Sequence, residues 1–147
     1  IKEALVHDNN VLDRSIYEDW YFAKVNKELG RISELEFSLY ESLLDNMMEE
    51  LKGLPKKAPD LMIYLSGSFE TIIERIKKRG REYELDEGLV SYYYELWKGY
   101  DNWIEQHYDA SEVLVINIDE IDYVNNEEDK KKVLSMIEEK LNEIRNR

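Results

Sequence analysis

Two short apolar runs, residues 61–65 (LMIYL) and 113–118 (VLVINI), set the tightest limit on how this chain can fold. In each the apolar residues follow one another instead of alternating with polar ones, and the first is bounded by Pro59 and Gly67. A strand without a polar side is covered on both faces, the condition of a parallel sheet between helix layers. The segments around these runs read as helices. Phe69, Ile72, Ile73 and Ile76 fall on one side of a helix that Ser68 caps, and Leu89, Tyr93, Leu96, Trp97, Tyr100, Trp103 and Ile104 form a second stripe that reaches His107. Val133, Ile137, Leu141 and Ile144 mark a closing helix. Strands alternating with helices predict an α/β fold, a parallel sheet flanked by helices.

Upstream, residues 11–12, with Asn10 before them, read as a short strand that runs into Asp13, Arg14 and Ser15. Residues 16–29 form a helix that Gly30 stops. Ser33 and Glu36 then make a capping box for a helix with Leu35, Leu39, Leu43, Met47 and Leu51 along one stripe, widened by Leu44 and Met48 and ended by Gly53 and Pro55. Ile1 is not an initiator methionine, and residues 1–6 read as the last turns of a helix already under way, so an N-terminal part is expected to be missing. No repeat and no Gly/Ser-rich linker divides the chain, and 147 residues suit one domain, 1–147.

Composition removes several functions. With 33 acidic against 20 basic residues, a formal charge of -13 leaves no broad positive face for a phosphate backbone, so nucleic acid is not an expected partner. The absence of cysteine excludes disulfides, thiolate metal sites and a cysteine nucleophile, and fits a reducing compartment, with the cytoplasm as the expected location. No apolar run approaches the roughly 20 residues that span a bilayer, so no membrane partner is expected. His7 and His107 are too few and too far apart to predict a metal site.

Two clusters have the composition of a reactive site. Asp13 and Arg14 fall where the chain leaves an expected strand, and ligands bind at the carboxyl edge of open parallel sheets. There a carboxylate can take a proton from a substrate hydroxyl while a guanidinium holds a phosphate. On these residues alone a helix cap paired with Arg14 is the better account. The second cluster is Arg75, Lys77, Lys78, Arg79, Gly80 and Arg81 at a helix end, followed by a charged loop over residues 82–88. Complementing the helix dipole accounts for the lysines, whereas three arginines around a glycine in an acidic protein suit an anion grip. The two accounts stand level. No G-x-x-x-x-G-K-[ST] phosphate loop occurs in the chain. Tyr92, Tyr93 and Tyr94, beside Trp97, are read as core or interface.

Taken together, Asp13-Arg14-Ser15-Ile16-Tyr17-Glu18-Asp19 and Glu74-Arg75-Ile76-Lys77-Lys78-Arg79-Gly80-Arg81 with Glu84 resemble the deoxynucleoside kinases, the bacterial deoxyadenosine/deoxyguanosine kinase branch in particular. The likeness runs from about Asn10 to the last helix. It implies a kinase of the P-loop nucleoside/nucleotide type on a five-stranded parallel sheet, transferring phosphate from ATP with magnesium to the 5'-hydroxyl of a deoxynucleoside, a purine one on this branch, in nucleotide salvage. It implies that Asp13 is the proton acceptor, that Arg14 steadies the reacting oxygens, and that Asp19 contacts the nucleobase. Arg75, Arg79 and Arg81 would be lid arginines, in a lid over about residues 75–88, that close on ATP, and Glu84 a lid acid bonded to the sugar 3'-hydroxyl. Asp119, Asp122 and Tyr123 would lie in the loop against the adenine of ATP, and two subunits would pair through helices as a homodimer. This chain departs from animal members in having Asp13 where they carry glutamate and Ala23 where they place a phenylalanine on the base.

The resemblance further implies that the strand before the phosphate loop, upstream of Ile1, lies between the strand ending at Leu12 and residues 61–65. A chain starting at Ile1 should then hold an empty slot in its sheet and be inactive and unstable alone. Two other functions compatible with the composition are a non-catalytic acidic helical interaction module and a nucleoside monophosphate kinase. The latter would need further basic residues near Asp19, where acids and aromatics stand.

Overall fold

The computed structural model describes residues 10–50 and 58–147. The chain divides into two compact units, Ile1–Ala58 and Pro59–Arg147, each with its own packing. The helix end expected over residues 1–6 and the terminators Gly53 and Pro55 lie outside the described residues.

In the first unit, helix α1 (Ile16–Glu28) and helix α2 (Glu34–Glu50) are joined by a short turn whose chemistry is local. The backbone N–H of Ser15 donates to Glu18 Oε2 at 2.8 Å, closing the first turn of α1. At the other end Gly30 takes φ +68°, which a residue without Cβ adopts freely. It lets its own N–H reach the Lys27 carbonyl and that of Arg31 reach Asn26, so both otherwise orphaned carbonyls are satisfied. Ser33 and Glu36 form the expected reciprocal box. Ser33 N–H at 2.7 Å and the Ser33 hydroxyl at 2.8 Å donate to Glu36 Oε2 and hold the Glu36 carboxyl below its usual range, while Glu36 N–H reaches the Ser33 hydroxyl at 3.2 Å.

The packed face of α2 differs from the expected one. Phe37 is buried, with its ring centroid 6.4 Å from that of Trp20 on α1, and Trp20 Nε1 donates to Glu41 at 3.1 Å. Phe37, Tyr40, Glu41 and Leu44 therefore face α1. The stripe Leu35, Leu39, Leu43 and Met47 is exposed, from 70% at Leu35 to 40% at Met47. Both sets repeat at helical spacing, and the aromatic one has the bulk to fill the gap between two helices. The strand expected at residues 11–12 is also absent. Val11 is 97% and Leu12 54% exposed, and no described strand pairs with them. A strand is made by its ladder partner more than by its own side chains.

The second unit runs β1 (Leu61–Ser66), α3 (Phe69–Arg79), a 3-10 turn (Glu82–Leu85), α4 (Glu87–His107), β2 (Glu112–Asn117) and α5 (Glu127–Arg145). The two strands are parallel, with Leu61 opposite Glu112 and Ser66 opposite Asn117, as the apolar runs predict. The register places Ile63, Leu65, Leu114 and Ile116 on one side of the sheet. There Ile116, fully buried, packs with Ile121 and with Val133 of α5, flanked by Leu114, Met136 and Ile137. On the other side Tyr64 stacks on Tyr100 of α4 with centroids 5.3 Å apart. Coverage is less complete than two fully apolar runs imply: Ile63 is 38%, Leu65 42% and Val115 53% exposed, because α4 and α5 reach only part of each face. The region after Arg81, expected as loop, contains the 3-10 turn Glu82–Leu85.

The two strand ends come together at Gly67. A Cβ there would lie 2.5 Å from Cγ1 of Ile118, a side chain that is itself buried. The Gly67 carbonyl also accepts a bond from Trp97 Nε1 at 2.8 Å, which fixes α4 across the end of β1. Gly67→Ala is therefore expected to destabilise the fold by about 1–3 kcal/mol through overpacking, measured as a lower urea midpoint at unchanged slope. An unchanged midpoint would mean that the strand ends can separate freely.

Candidate active site

Asp13 and Arg14 lie in the bend that delivers the chain into α1. Arg14 holds φ +68°, a left-handed conformation that a residue with a Cβ adopts at a cost of about 1–2 kcal/mol. Two local features hold it there: the Ser15–Glu18 box behind it, and Phe22, whose ring centroid lies 4.8 Å from the guanidinium carbon. The strained backbone thus turns Asp13 and Arg14 out of the helix path, and both side chains are exposed. Asp19, also exposed, follows in the first turn of α1. It reaches Tyr40 of α2 electrostatically: burial first, and then the Asp19 charge, push the Tyr40 hydroxyl above its usual range. Phe22 and Tyr40 were not singled out from the sequence for these contacts. The aromatic run of α1 was the available signal.

The remaining candidates belong to the second unit. Gly80, with φ +75°, ends α3 and accepts no side-chain load, so Arg79 and Arg81 stand on either side of a left-handed turn and are exposed. Glu84 follows within the 3-10 turn. Arg75 sits one turn earlier and is differently placed. Its Nη2 donates to the carbonyls of Ile118 at 2.7 Å and Ile121 at 3.0 Å, and its guanidinium carbon is 6.0 Å from the Tyr123 ring centroid.

Asp119, at the end of β2, is engaged across the strand ends. Its carboxylate accepts the Ser68 N–H at 2.9 and 3.1 Å and the Ser68 hydroxyl at 3.1 Å. A negative charge at the first turn of α3 also complements the helix dipole. The Thr71 hydroxyl, then the Ser68 backbone, hold the Asp119 carboxyl below its ordinary value of 3.8. Asp122 is likewise lowered, by the Asn125 side chain and backbone first, as it organises the turn that leads to α5. Between α3 and this turn lies an open cleft of about 240 Å³ lined by Thr71, Glu74, Arg75, Lys78, Asp119 and Asp122 among others. Among the described residues no group of three or more His, Asp or Glu side chains is placed to hold a metal ion.

These lowered carboxyls have a pH consequence. A group whose folded pKa lies below its unfolded one adds stability that is complete above the unfolded value and is lost as pH falls through the folded value. Urea unfolding below pH 3.8 is therefore expected to show falling stability, with a shallower fall in Asp119→Asn than in the native chain. Parallel curves would place the acid sensitivity elsewhere.

The chain matches the family model described as "Deoxynucleoside kinase" over residues 2–142. It is 48% identical over 147 residues to a deoxyguanosine kinase of Lactobacillus acidophilus, covering 98% of this chain and 64% of that protein. It is 46% identical to a deoxyadenosine kinase of the same organism, covering 99% of this chain and 69% of the relative. Among solved structures, deoxyadenosine kinase from M. mycoides with bound dATP superposes with a TM-score of 0.72 at 28% identity, covering 93% of this chain and 66% of that one. The chain thus spans about two thirds of the length of these relatives. With the family match spanning nearly its whole length, the chain belongs to the deoxynucleoside kinase family.

Proposed function

We propose that the protein to which this chain belongs phosphorylates the 5'-hydroxyl of a deoxynucleoside, a purine one, with ATP as the donor. The observation that carries this reading is the pair of ordered motifs, an acid and an arginine in a strained bend before α1 and arginines around Gly80 after α3, within a family match over residues 2–142. In this reading Asp13 accepts the proton as the 5'-oxygen forms its bond to the γ-phosphorus and the bond to the β-bridging oxygen breaks, leaving ADP. Arg14 holds the reacting oxygens. Arg79 and Arg81 neutralise charge on the transferred group, since phosphoryl transfer depends on positioning and electrostatics more than on covalent help. Asp19 contacts the base, Glu84 the sugar 3'-hydroxyl, and the turn with Asp119, Asp122 and Tyr123 lines the donor side. Magnesium, when bound on the phosphates of ATP, would offset part of their charge. One folding unit over residues 1–147, with a lid over about 75–88, is part of the same proposal.

Calorimetric titration of the full-length protein tests it: ATP and deoxyguanosine or deoxyadenosine are each expected to bind. Binding of neither would favour a non-catalytic interaction module, and preference for a deoxynucleoside monophosphate would favour a monophosphate kinase.

The exposed stripe Leu35, Leu39, Leu43 and Met47 is an apolar surface of the kind that pairs subunits, and supports a homodimer. Sedimentation at micromolar concentration is expected to show a dimer, and monomer alone would overturn it. The absence of cysteine supports a reducing, cytoplasmic location.

A further inference from the structure

We infer that Arg75 is a positioning residue that fastens the 118–123 turn to α3 before nucleotide arrives, in contrast to Arg79 and Arg81 beyond it. The inference rests on the reading of that turn as the donor side of the site. Arg75 Nη2 directs its two N–H groups at two carbonyls of the same turn, Ile118 and Ile121, at 2.7 and 3.0 Å. Both bonds leave one NH2 group held in the plane of the guanidinium, so two carbonyls three residues apart together fix the orientation of the side chain. One turn back, at the N-terminal cap of α3, the Ser68 N–H and hydroxyl donate to the Asp119 carboxylate of that turn, so α3 and its cap hold it at two successive levels.

The far side of the turn is held as well. Ile121 is buried with Ile116 and Val133, the cluster that joins β2 to α5. Arg75 therefore bridges α3 to the sheet core, and swinging it away would leave two carbonyls without their charged donor. Arg79 and Arg81 flank the left-handed Gly80, at the point where α3 stops. The arginines of this cluster divide into one tied to the 118–123 turn and two that flank Gly80. The Tyr123 ring, 6.0 Å from the guanidinium carbon, is carried on the segment so held.

The test uses the full-length protein with Arg75→Ala, Arg75→Lys and Arg79→Ala. Without nucleotide, amide hydrogen exchange over residues 119–124 is expected to quicken roughly tenfold or more in Arg75→Ala, less in Arg75→Lys, and not in Arg79→Ala. In steady state, Arg75→Ala is expected to raise KM for ATP roughly tenfold while kcat and KM for the deoxynucleoside change by less than about threefold. Arg75→Lys, which keeps the charge and the aliphatic stem, guards against a variant that fails to fold, and is expected to recover part of the ATP effect. Unchanged exchange in nucleotide-free Arg75→Ala, or a fall in kcat with KM for ATP unaltered, overturns the inference. Should the native protein phosphorylate no deoxynucleoside, the proposed function fails, and the exchange measurement still decides whether Arg75 fastens the turn.

Discussion

Asp13→Asn in the full-length protein is expected to lower turnover at least ~100-fold while deoxynucleoside affinity changes only a few-fold, the signature of losing a general base and not a binding contact. The substitution keeps the size and hydrogen-bonding reach of the side chain and removes only its capacity to take a proton. Asp13 is free to act in this way because the capping of α1 falls to Ser15 and Glu18, whose 2.8 Å bond needs nothing from it. The neighbouring left-handed Arg14, braced 4.8 Å from the Phe22 ring, is strain that a mere helix cap would not require. Single-turnover rates and nucleoside titration on the same variant separate the two effects. Near-normal turnover would take Asp13 out of the mechanism.

The second large effect is expected at the end of α3. Arg79→Ala and Arg81→Ala should each lower kcat by roughly 100-fold, and Lys77→Ala and Lys78→Ala by less than about threefold. All four cations lie close together in the chain and all are exposed, so proximity alone would make them equivalent. What separates them is position relative to the left-handed turn: Arg79 ends α3 and Arg81 follows Gly80, so the two bracket the point where the chain turns away, whereas Lys77 and Lys78 stand before it and balance the helix dipole. Rates measured at saturating ATP and saturating deoxynucleoside make the comparison. Equal, small losses in all four would return the cluster to a helix-end role.

Local signals carried most of the architecture. The caps at Ser33 and Ser68, the Gly30 and Gly80 stops and the two continuous apolar runs depend on residues within a few positions of one another, and the helices and parallel strands follow them. What depended on distant partners was not legible. In α2 the leucine stripe and the Phe37 face repeat with the same spacing, and only the position of Trp20 on α1 decides which is packed. Residues 11–12 have the side chains of a strand, but a ladder partner is not written in them. At the site, residue types were readable through the likeness to a family, whereas the division of labour was not. Asp119 pairs with a residue 51 positions away and Arg75 with carbonyls 43 and 46 positions away, contacts that no local pattern predicts.

The proposed reaction moves a phosphate from ATP to a deoxynucleoside hydroxyl, and its products decide whether it occurs. The full-length protein, incubated with γ-labelled ATP, magnesium and either deoxyguanosine or deoxyadenosine, is expected to yield the labelled 5'-monophosphate and ADP in equal amounts. The same incubation with Asp13→Asn should yield at most about one hundredth of that product in the same time. Label that stays in ATP or appears only as free phosphate, or that passes to a deoxynucleoside monophosphate in preference to a deoxynucleoside, would contradict the account.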